Sequence, residues 1–410
     1  MTRASRIGAL AAVTACVVIL SCVRGDNSPL SQEPGVRTGL DVLCEQGYGL
    51  LKGKRVGLVC NHSAVNGRGK HVISLFSSQN VFQLVALFSP EHGLTGDVDK
   101  PIPSGVDAAS GLKVYSLYGQ TLRPTPESLE GIDTLVFDMQ DVGARFYTYI
   151  STMAMCMEEA AKHNIGFVVL DRPNPITGTR VGGPLPDRAY LGRFISYFSL
   201  PVMHGMTVGE LARMFKEEFG IRCNLTVVKM RGWRRAMWFD ESGLPWINPS
   251  PNIRNLVAAI LYPGFGIVEA TNMSVGRGTF APFELYGAPW MNGNKLAEEM
   301  NQRGLRGLQF VPAEFTPDAS VFAGEKCSGV RVVLTERSKF ESLRAGLTFI
   351  DAICRLHGDV FEIEKISPMI GDGSVAEKIK TGVAVEAILR GWRSQQRDFL
   401  ARRKKYLLYP

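Results

Sequence analysis

Arg55-Val56-Gly57-Leu58-Val59-Cys60-Asn61-His62 is a short, almost continuously apolar run that stops at two polar residues. A run of that length, ending in polar turn residues, suits a strand buried on both faces. The pattern returns downstream. Residues 82–88 run into Ser89-Pro90-Glu91-His92-Gly93, and residues 133–137 into Asp138-Met139-Gln140-Asp141. Residues 166–170 run into Asp171-Arg172-Pro173-Asn174-Pro175, and residues 114–118 form a further candidate strand. Helical periods separate them at 71–77, 125–129 and 147–164, the last placing Ile150, Met153, Met157 and Ala160 on one face. Apolar strands alternating with helices predict an α/β fold with a mostly parallel sheet covered on both sides.

The polar residues fall just past the strand ends. Asn61, His62, Glu91, His92, Asp138, Gln140, Asp141, Asp171, Arg172 and Asn174 all follow a predicted carboxyl terminus. Open parallel sheets bind ligands along that edge, although helix caps and turns also recruit Asp and Asn there. Neither G-x-G-x-x-G after the first strand nor G-x-x-x-x-G-K-[ST] anywhere is present, so a nucleotide cofactor lacks its phosphate cradle. No cofactor and no metal are expected.

The second half reads as a smaller α+β unit. Helices are predicted at 206–219, 294–302 and 340–355, and strands at 225–230, 308–312 and 329–334. Residues 232–263, rich in Trp, Pro and Asn, read as a long irregular segment walling a cleft.

The chain has 410 residues, 45% hydrophobic and 21% charged, which suits a folded protein of two domains. The formal net charge of +7 concentrates near the carboxyl end, where Arg390, Arg393, Arg397, Arg402, Arg403, Lys404 and Lys405 read as a solvated helix face. No nucleic-acid partner is expected. Arg3 and Arg6 precede an apolar run from Ile7 to Leu20 and then Ser21-Cys22, the pattern of an export signal. Its ending is similar to a lipobox, which would make Cys22 a lipidation site and anchor the protein to a membrane. Cys16 also lies in that export segment, and of the six cysteines beyond it none is in C-x-x-C spacing.

Glycoside cleavage needs a proton donor, plus a second carboxylate or help from the substrate. Glu91 is the best donor candidate. Asp138, Asp141 and Asp171 on the same edge, and Glu269 and Glu284 from the second half, are candidates for the partner carboxylate. His62 and His92 would orient Glu91 or bind sugar hydroxyls, or else serve structurally. Arg145 and Arg277 offer a planar fork to a carboxylate, or a salt bridge between domains. Tyr147, Tyr149, Trp246 and Trp290 are candidate stacking surfaces, or core.

These segments resemble a known family. Residues 56–62, Phe88-Ser89-Pro90-Glu91-His92-Gly93, residues 137–149, Leu170-Asp171-Arg172-Pro173-Asn174-Pro175, His204-Gly205-Met206-Thr207, Pro249-Ser250-Pro251-Asn252, Gly276-Arg277-Gly278-Thr279 and Pro282-Phe283-Glu284-Leu285 are similar to the exo-acting β-N-acetylmuramidases called NamZ. The resemblance implies a Rossmann-like domain joined to a smaller one, with the active site in the cleft between them. It implies release of N-acetylmuramic acid from the non-reducing end of peptidoglycan fragments, with Glu91 at the position of the catalytic glutamate. Its expected division is a signal peptide with lipobox at 1–22 and a flexible tether at 23–38, then a Rossmann-like catalytic domain at 39–195 and a smaller α+β domain at 196–410. Glu91, His92, Asp138 and Asp141 are then the candidate catalytic residues. Asn61, His62, Gln140, Arg145, Tyr147, Asp171, Arg172, Asn174, Asn252, Glu269, Asn272, Arg277 and Glu284 are the candidate substrate ligands. The expected partners are muramic-acid-terminated saccharides from peptidoglycan and a membrane. Family members often carry Glu-Gly-Thr-Asn and Ser-Glu-Gly-Arg-Gly-Thr where this chain has Glu269-Ala270-Thr271-Asn272 and Ser274-Val275-Gly276-Arg277-Gly278-Thr279. A non-catalytic lipoprotein that binds peptidoglycan fragments, and a metal-assisted esterase or amidase, are the competing readings.

Overall fold

The structure, a computed structural model, describes residues 35–96 and 102–410. The expected signal peptide with Cys22, and residues 23–34 of the expected tether, lie outside the described residues. Residues 35–38, read as the end of the tether, are packed: Val36 is buried and Thr38 caps the first helix.

Ten strands follow in order: β1 Arg55–Cys60, β2 Gln83–Ser89, β3 Gly105–Val106, β4 Lys113–Ser116, β5 Thr134–Asp138, β6 Gly166–Leu170, β7 Asn224–Val228, β8 Leu285–Ala288, β9 Leu308–Phe315 and β10 Cys327–Leu334. The first seven form one sheet, in the order β3-β4-β2-β1-β5-β6-β7. Every pairing is parallel except β3 with β4. From β1 the chain moves outward to β2 and β4, then returns to lay β5, β6 and β7 on the other side. The strand order therefore reverses between β1 and β5, and ligands bind at the carboxyl ends beside such a reversal.

Both faces are covered, as the continuous apolar runs predict. The helices are α1 Gly39–Glu45, α2 Val72–Ser77, α3 Pro126–Leu129, α4 Tyr149–Lys162 and α5 Val208–Glu218. Val56, Leu58 and Cys60 of β1 join Leu40, Leu43, Val72 and Phe76 of α1 and α2 in one core. Val59, Leu135, Phe137, Phe167 and Val169 point the other way and join Met153, Met157, Leu211 and Phe215 of α4 and α5. The period-two alternation of a strand thus sorts one sequence into two cores.

The large sheet does not end at the expected 195/196 division. β7 pairs along β6 from Gly166↔Asn224 to Leu170↔Val228, and α5 packs against both strands. The later segment pairs with the backbone N–H and C=O groups that β6 would otherwise leave open on its outer edge.

Beyond it, β8, β10 and β9 form a three-stranded antiparallel sheet, with α6 Leu256–Phe265, α7 Gly293–Gln302 and α8 Ser342–His357. The segment read as irregular through 263 is helical from Leu256, with Pro263 inside the helix. Its Ala258, Ala259, Ile260 and Leu261 supply the apolar content that the surrounding Pro and Asn residues obscure. The carboxyl-terminal basic run is only partly a solvated face: Arg403 is buried and donates to the carbonyls of Gly178, His204 and Gly205. Among the described residues no helix is long and apolar enough to cross a membrane.

The crossing of α6 and α8 is close because both carry glycine. A Cβ on Gly346 would stand 2.2 Å from the Gly264 carbonyl oxygen, and one on Gly264 2.0 Å from that of Ser342. Backbone cannot yield as a side chain does. Gly346→Ala is expected to cost about 1–3 kcal/mol in urea unfolding. Gly391→Ala, at a helical position where a Cβ meets nothing within 4 Å, serves as the control and is expected to cost no stability and to add up to about 1 kcal/mol.

Candidate active site

Glu91 stands two residues past the end of β2, in the turn Pro90-Glu91-His92-Gly93. The turn closes with Gly93 N–H donating to the Pro90 carbonyl at 3.1 Å. His92 has φ 70° and Gly93 φ 72°. Two consecutive left-handed residues reverse the chain sharply, and the non-glycine one carries about 1 kcal/mol or more of strain. Such strain persists where the surroundings hold it.

Glu91 and His92 open onto a cavity of about 230 Å³. The first half also contributes Phe146, Tyr147, Thr148, Tyr149 and Ile195. The second contributes Ser250, Ile253, Tyr262, Glu269, Ala270, Arg277, Phe283 and Met369. The aromatic wall is locked edge to face: Tyr147 and Tyr149 have centroids 4.8 Å apart, Phe146 and Tyr262 5.1 Å, and Tyr262 and Phe283 4.8 Å.

Three sets of polar groups belong to this lining. Thr148 donates its hydroxyl to Glu91 Oε2 at 2.7 Å. Thr148 occupies the position before α4 where a threonine ordinarily caps the helix, yet it makes no cap hydrogen bond. Its hydroxyl serves Glu91 instead. Across the cavity Arg277 donates Nε to Glu269 Oε1 at 2.6 Å, and the guanidinium lies 5.5 Å over the Phe283 ring. The phenols of Tyr147 and Tyr262 are raised well above their ordinary range by burial, with Tyr149 adding to the first and the Glu269 carboxylate to the second. Both stay protonated.

Of the candidate residues, the cavity thus gathers Glu91, His92, Tyr147, Tyr149, Glu269 and Arg277, drawn from positions nearly 190 residues apart. Thr148, Ser250 and Tyr262 had no individual assignment from sequence. Thr148 and Ser250 stand in the motif runs at 137–149 and 249–252, but a motif does not say which hydroxyl faces the space, and Tyr262 stands in the segment read as irregular.

The other candidates lie behind the wall. Asp138, read as catalytic, is fully buried and ion-paired to Arg172, which also donates to the Val65 carbonyl. Asp141, also read as catalytic, accepts from Gly143 N–H at 2.7 Å and lies 3.5 Å from the buried His204. Neither lines the cavity. Arg145 does not present its fork to a ligand: it donates to the carbonyls of Pro184, Leu200 and Met369, and burial pushes its pKa down to about 9. Through Met369 it braces the wall. Asn61 likewise donates to the Tyr149 hydroxyl at 2.9 Å, and His62 bonds the Asn248 carbonyl.

Asp171 accepts from Thr207, Gly209, Arg172 and Tyr409, tying the rim of β6 to the carboxyl-terminal tail. Burial pushes its pKa up to about 7, against the donors from Tyr409, Gly209 and Thr207. Asn174 bonds Met206 and Ile176, and Gln140 bonds the carbonyls of Asp141 and Pro173. With Arg172, Gln140 lines a separate space of about 20 Å³, room for roughly one water. Asn252 is buried outside the cavity lining. Asn272 bridges to Val360 and Glu362, and Glu284 pairs with Asn255 and Arg331. Trp246 packs on Phe239, and Trp290 on His357 and Phe361, so neither offers a stacking face to the cavity. Among the described residues no three His, Cys, Asp or Glu side chains gather as a metal would require, and six cysteines are free.

Comparison with known proteins bears on the whole of this architecture. Residues 56–257 match the family model for the amino-terminal part of the exo-β-N-acetylmuramidase NamZ, and residues 260–409 match its carboxyl-terminal part. The chain is 43% identical over 384 residues to the peptidoglycan β-N-acetylmuramidase NamZ of Bacillus subtilis (strain 168), covering 92% of each protein. Among solved structures it is similar to two DUF1343 family proteins of Bacteroides fragilis NCTC 9343. One has a TM-score of 0.84 and 38% identity, the other 0.74 and 29%, each covering 92% of this chain and 99% of the other.

The pairing of Arg172 with Asp138 carries a stability prediction. Arg172→Met strands a buried carboxylate and is expected to cost about 3–5 kcal/mol in urea unfolding. Adding Asp138→Asn removes the stranded charge and is expected to restore a substantial part of that loss.

Proposed function

The chain belongs to the exo-β-N-acetylmuramidase NamZ family and is a glycoside hydrolase, and we propose that its cavity takes the terminal N-acetylmuramic acid at the non-reducing end of a peptidoglycan fragment, with Glu91 as the proton donor. The observation that carries this reading is the convergence of one hydrogen-bonded carboxylic side chain, an aromatic wall and a guanidinium on a single small space. At about 230 Å³ that space falls below the roughly 300–1,000 Å³ typical of sites for drug-sized ligands. It suits one sugar ring and not a glycan strand.

Each side chain has a part to play. Glu91 gives its proton to the glycosidic oxygen as the bond to the anomeric carbon breaks and its electron pair leaves with that oxygen. Thr148 holds the carboxyl group in place. Arg277 offers its remaining N–H groups to the lactyl carboxylate, which distinguishes muramic acid from N-acetylglucosamine, and Glu269 fixes the fork. To Glu269, in the same lining, falls the acceptance of a proton from the attacking water or from the acetamido N–H that assists it. The phenols of Tyr147 and Tyr262, kept neutral by burial, supply hydrogen bonds without adding charge.

The export-type start ending at Cys22 supports a further reading, that the protein works outside the cytoplasm on a lipid anchor. Cys22→Ala would then move it from the membrane fraction to the soluble fraction.

Glu91→Gln keeps the shape and removes the proton, so release of N-acetylmuramic acid should fall by about 10²–10⁴ in an assay on a muramic-acid-terminated disaccharide. Undiminished turnover would eliminate Glu91 as the acid. Thr148→Val should lower kcat by about tenfold or more, because this hydrogen bond strengthens as negative charge develops on Glu91 during proton transfer, while Thr148→Ser retains most of it. Arg277→Ala should raise KM for the muramic substrate and narrow the preference for it over the N-acetylglucosamine analogue.

A further inference from the structure

Phe280 is the most exposed of the large hydrophobic side chains among the described residues, at 74%. Leaving a phenyl ring in water forgoes a large burial gain, and a single exposed ring needs no explanation by itself. Its location supplies one. Arg277 and Phe283, three residues before and after it, both line the cavity, so a chain of that length keeps Phe280 within about 10 Å of each.

The loop that presents the ring is braced. Gly276 and Gly278 have φ 78° and 74°, and a Cβ on Gly278 would stand 2.4 Å from the Ala319 nitrogen. Thr279 Oγ1 donates to the Gly276 carbonyl at 2.6 Å. Arg254 donates to the Thr279 carbonyl at 3.0 Å and to the Pro251 carbonyl at 3.1 Å, which ties the loop to the turn that brings Ser250 and Ile253 to the cavity. The guanidinium of Arg331, itself held by Glu284, lies 5.9 Å from the ring centroid. A ring held on one side by a cation and left open on the other is a stacking platform.

We propose that Phe280 forms a second saccharide subsite at the rim of the cavity, stacking on the sugar that follows the terminal muramic acid across the scissile bond. The inference rests on the reading of the cavity as the terminal-sugar site. A cavity that holds one ring leaves the next outside, and the apolar face of a pyranose ring matches an exposed phenyl group. The subsite binds an uncharged aminosugar and serves as the platform for the leaving saccharide. It contributes no proton and no nucleophile.

The test compares two substrates of one enzyme: a muramic-acid-terminated disaccharide and the methyl glycoside of N-acetylmuramic acid, whose leaving group is too small to reach the ring. Phe280→Ala should lower kcat/KM for the disaccharide by about tenfold or less, mainly through KM, and leave the methyl glycoside unaffected. Phe280→Trp should retain or improve disaccharide turnover. Equal loss on both substrates, or no loss on either, overturns the subsite. Failure of the cavity reading looks different: wild-type enzyme would then turn over neither substrate, or Glu91→Gln would turn over both.

Discussion

A parallel sheet buried on both faces has one place to put polar chemistry, and the rest of this structure follows from that constraint. Val56, Leu58 and Cys60 face one core and Val59 the other, so neither surface of β1 can carry a solvated group without a desolvation cost. The polar residues are pushed to the carboxyl ends. There Glu91 follows β2, Asp138 ends β5 and Asp171 follows β6. The second layer, with its antiparallel sheet and the α6–α8 pair, adds Tyr262, Glu269 and Arg277 to the cavity in front of part of that edge.

Within the edge the residues divide by what they touch. Asp138, Asp171, Arg145, Arg172 and Asn174 satisfy buried backbone and one another, as buried polar groups must. They give the rim its rigidity, and that rigidity holds Glu91 and Thr148 in the fixed geometry that the proposed proton donation requires. Catalytic power in such a site comes from preorganised groups that need not move as charge develops. The strained turn at His92 fits this picture, because the two cores behind it hold the strand end in place.

Much of the fold was legible in the residues. β1 and β6 coincide with their apolar runs because both ends are marked by polar or turn residues, and the covering of both faces follows from the absence of alternation. The boundary at 195 was not legible, since the pairing of β7 with β6 is a long-range choice that leaves no local trace. α6 was hidden by Pro263 and by the Trp, Pro and Asn residues before it. Among the site residues, Glu91 and Arg277 stand in runs distinctive enough to single out. Asp138 and Arg145 stand in equally distinctive runs and turn inward, because residue type and spacing show that a polar group is needed but not which way it points. Thr148 escaped notice because the helical period was read from 147, which places it inside the helix instead of just ahead of it.

The central claim is that Glu91 faces the glycosidic oxygen of a bound terminal muramic acid. A crystal structure of the Glu91→Gln variant with a muramic-acid-terminated disaccharide tests it most directly. The terminal ring is expected inside the cavity, with the residue 91 amide about 2.6–3.2 Å from the bridging oxygen and the lactyl carboxylate on Arg277. A sugar bound elsewhere, or a residue 91 side chain turned from the bridging oxygen, would contradict it.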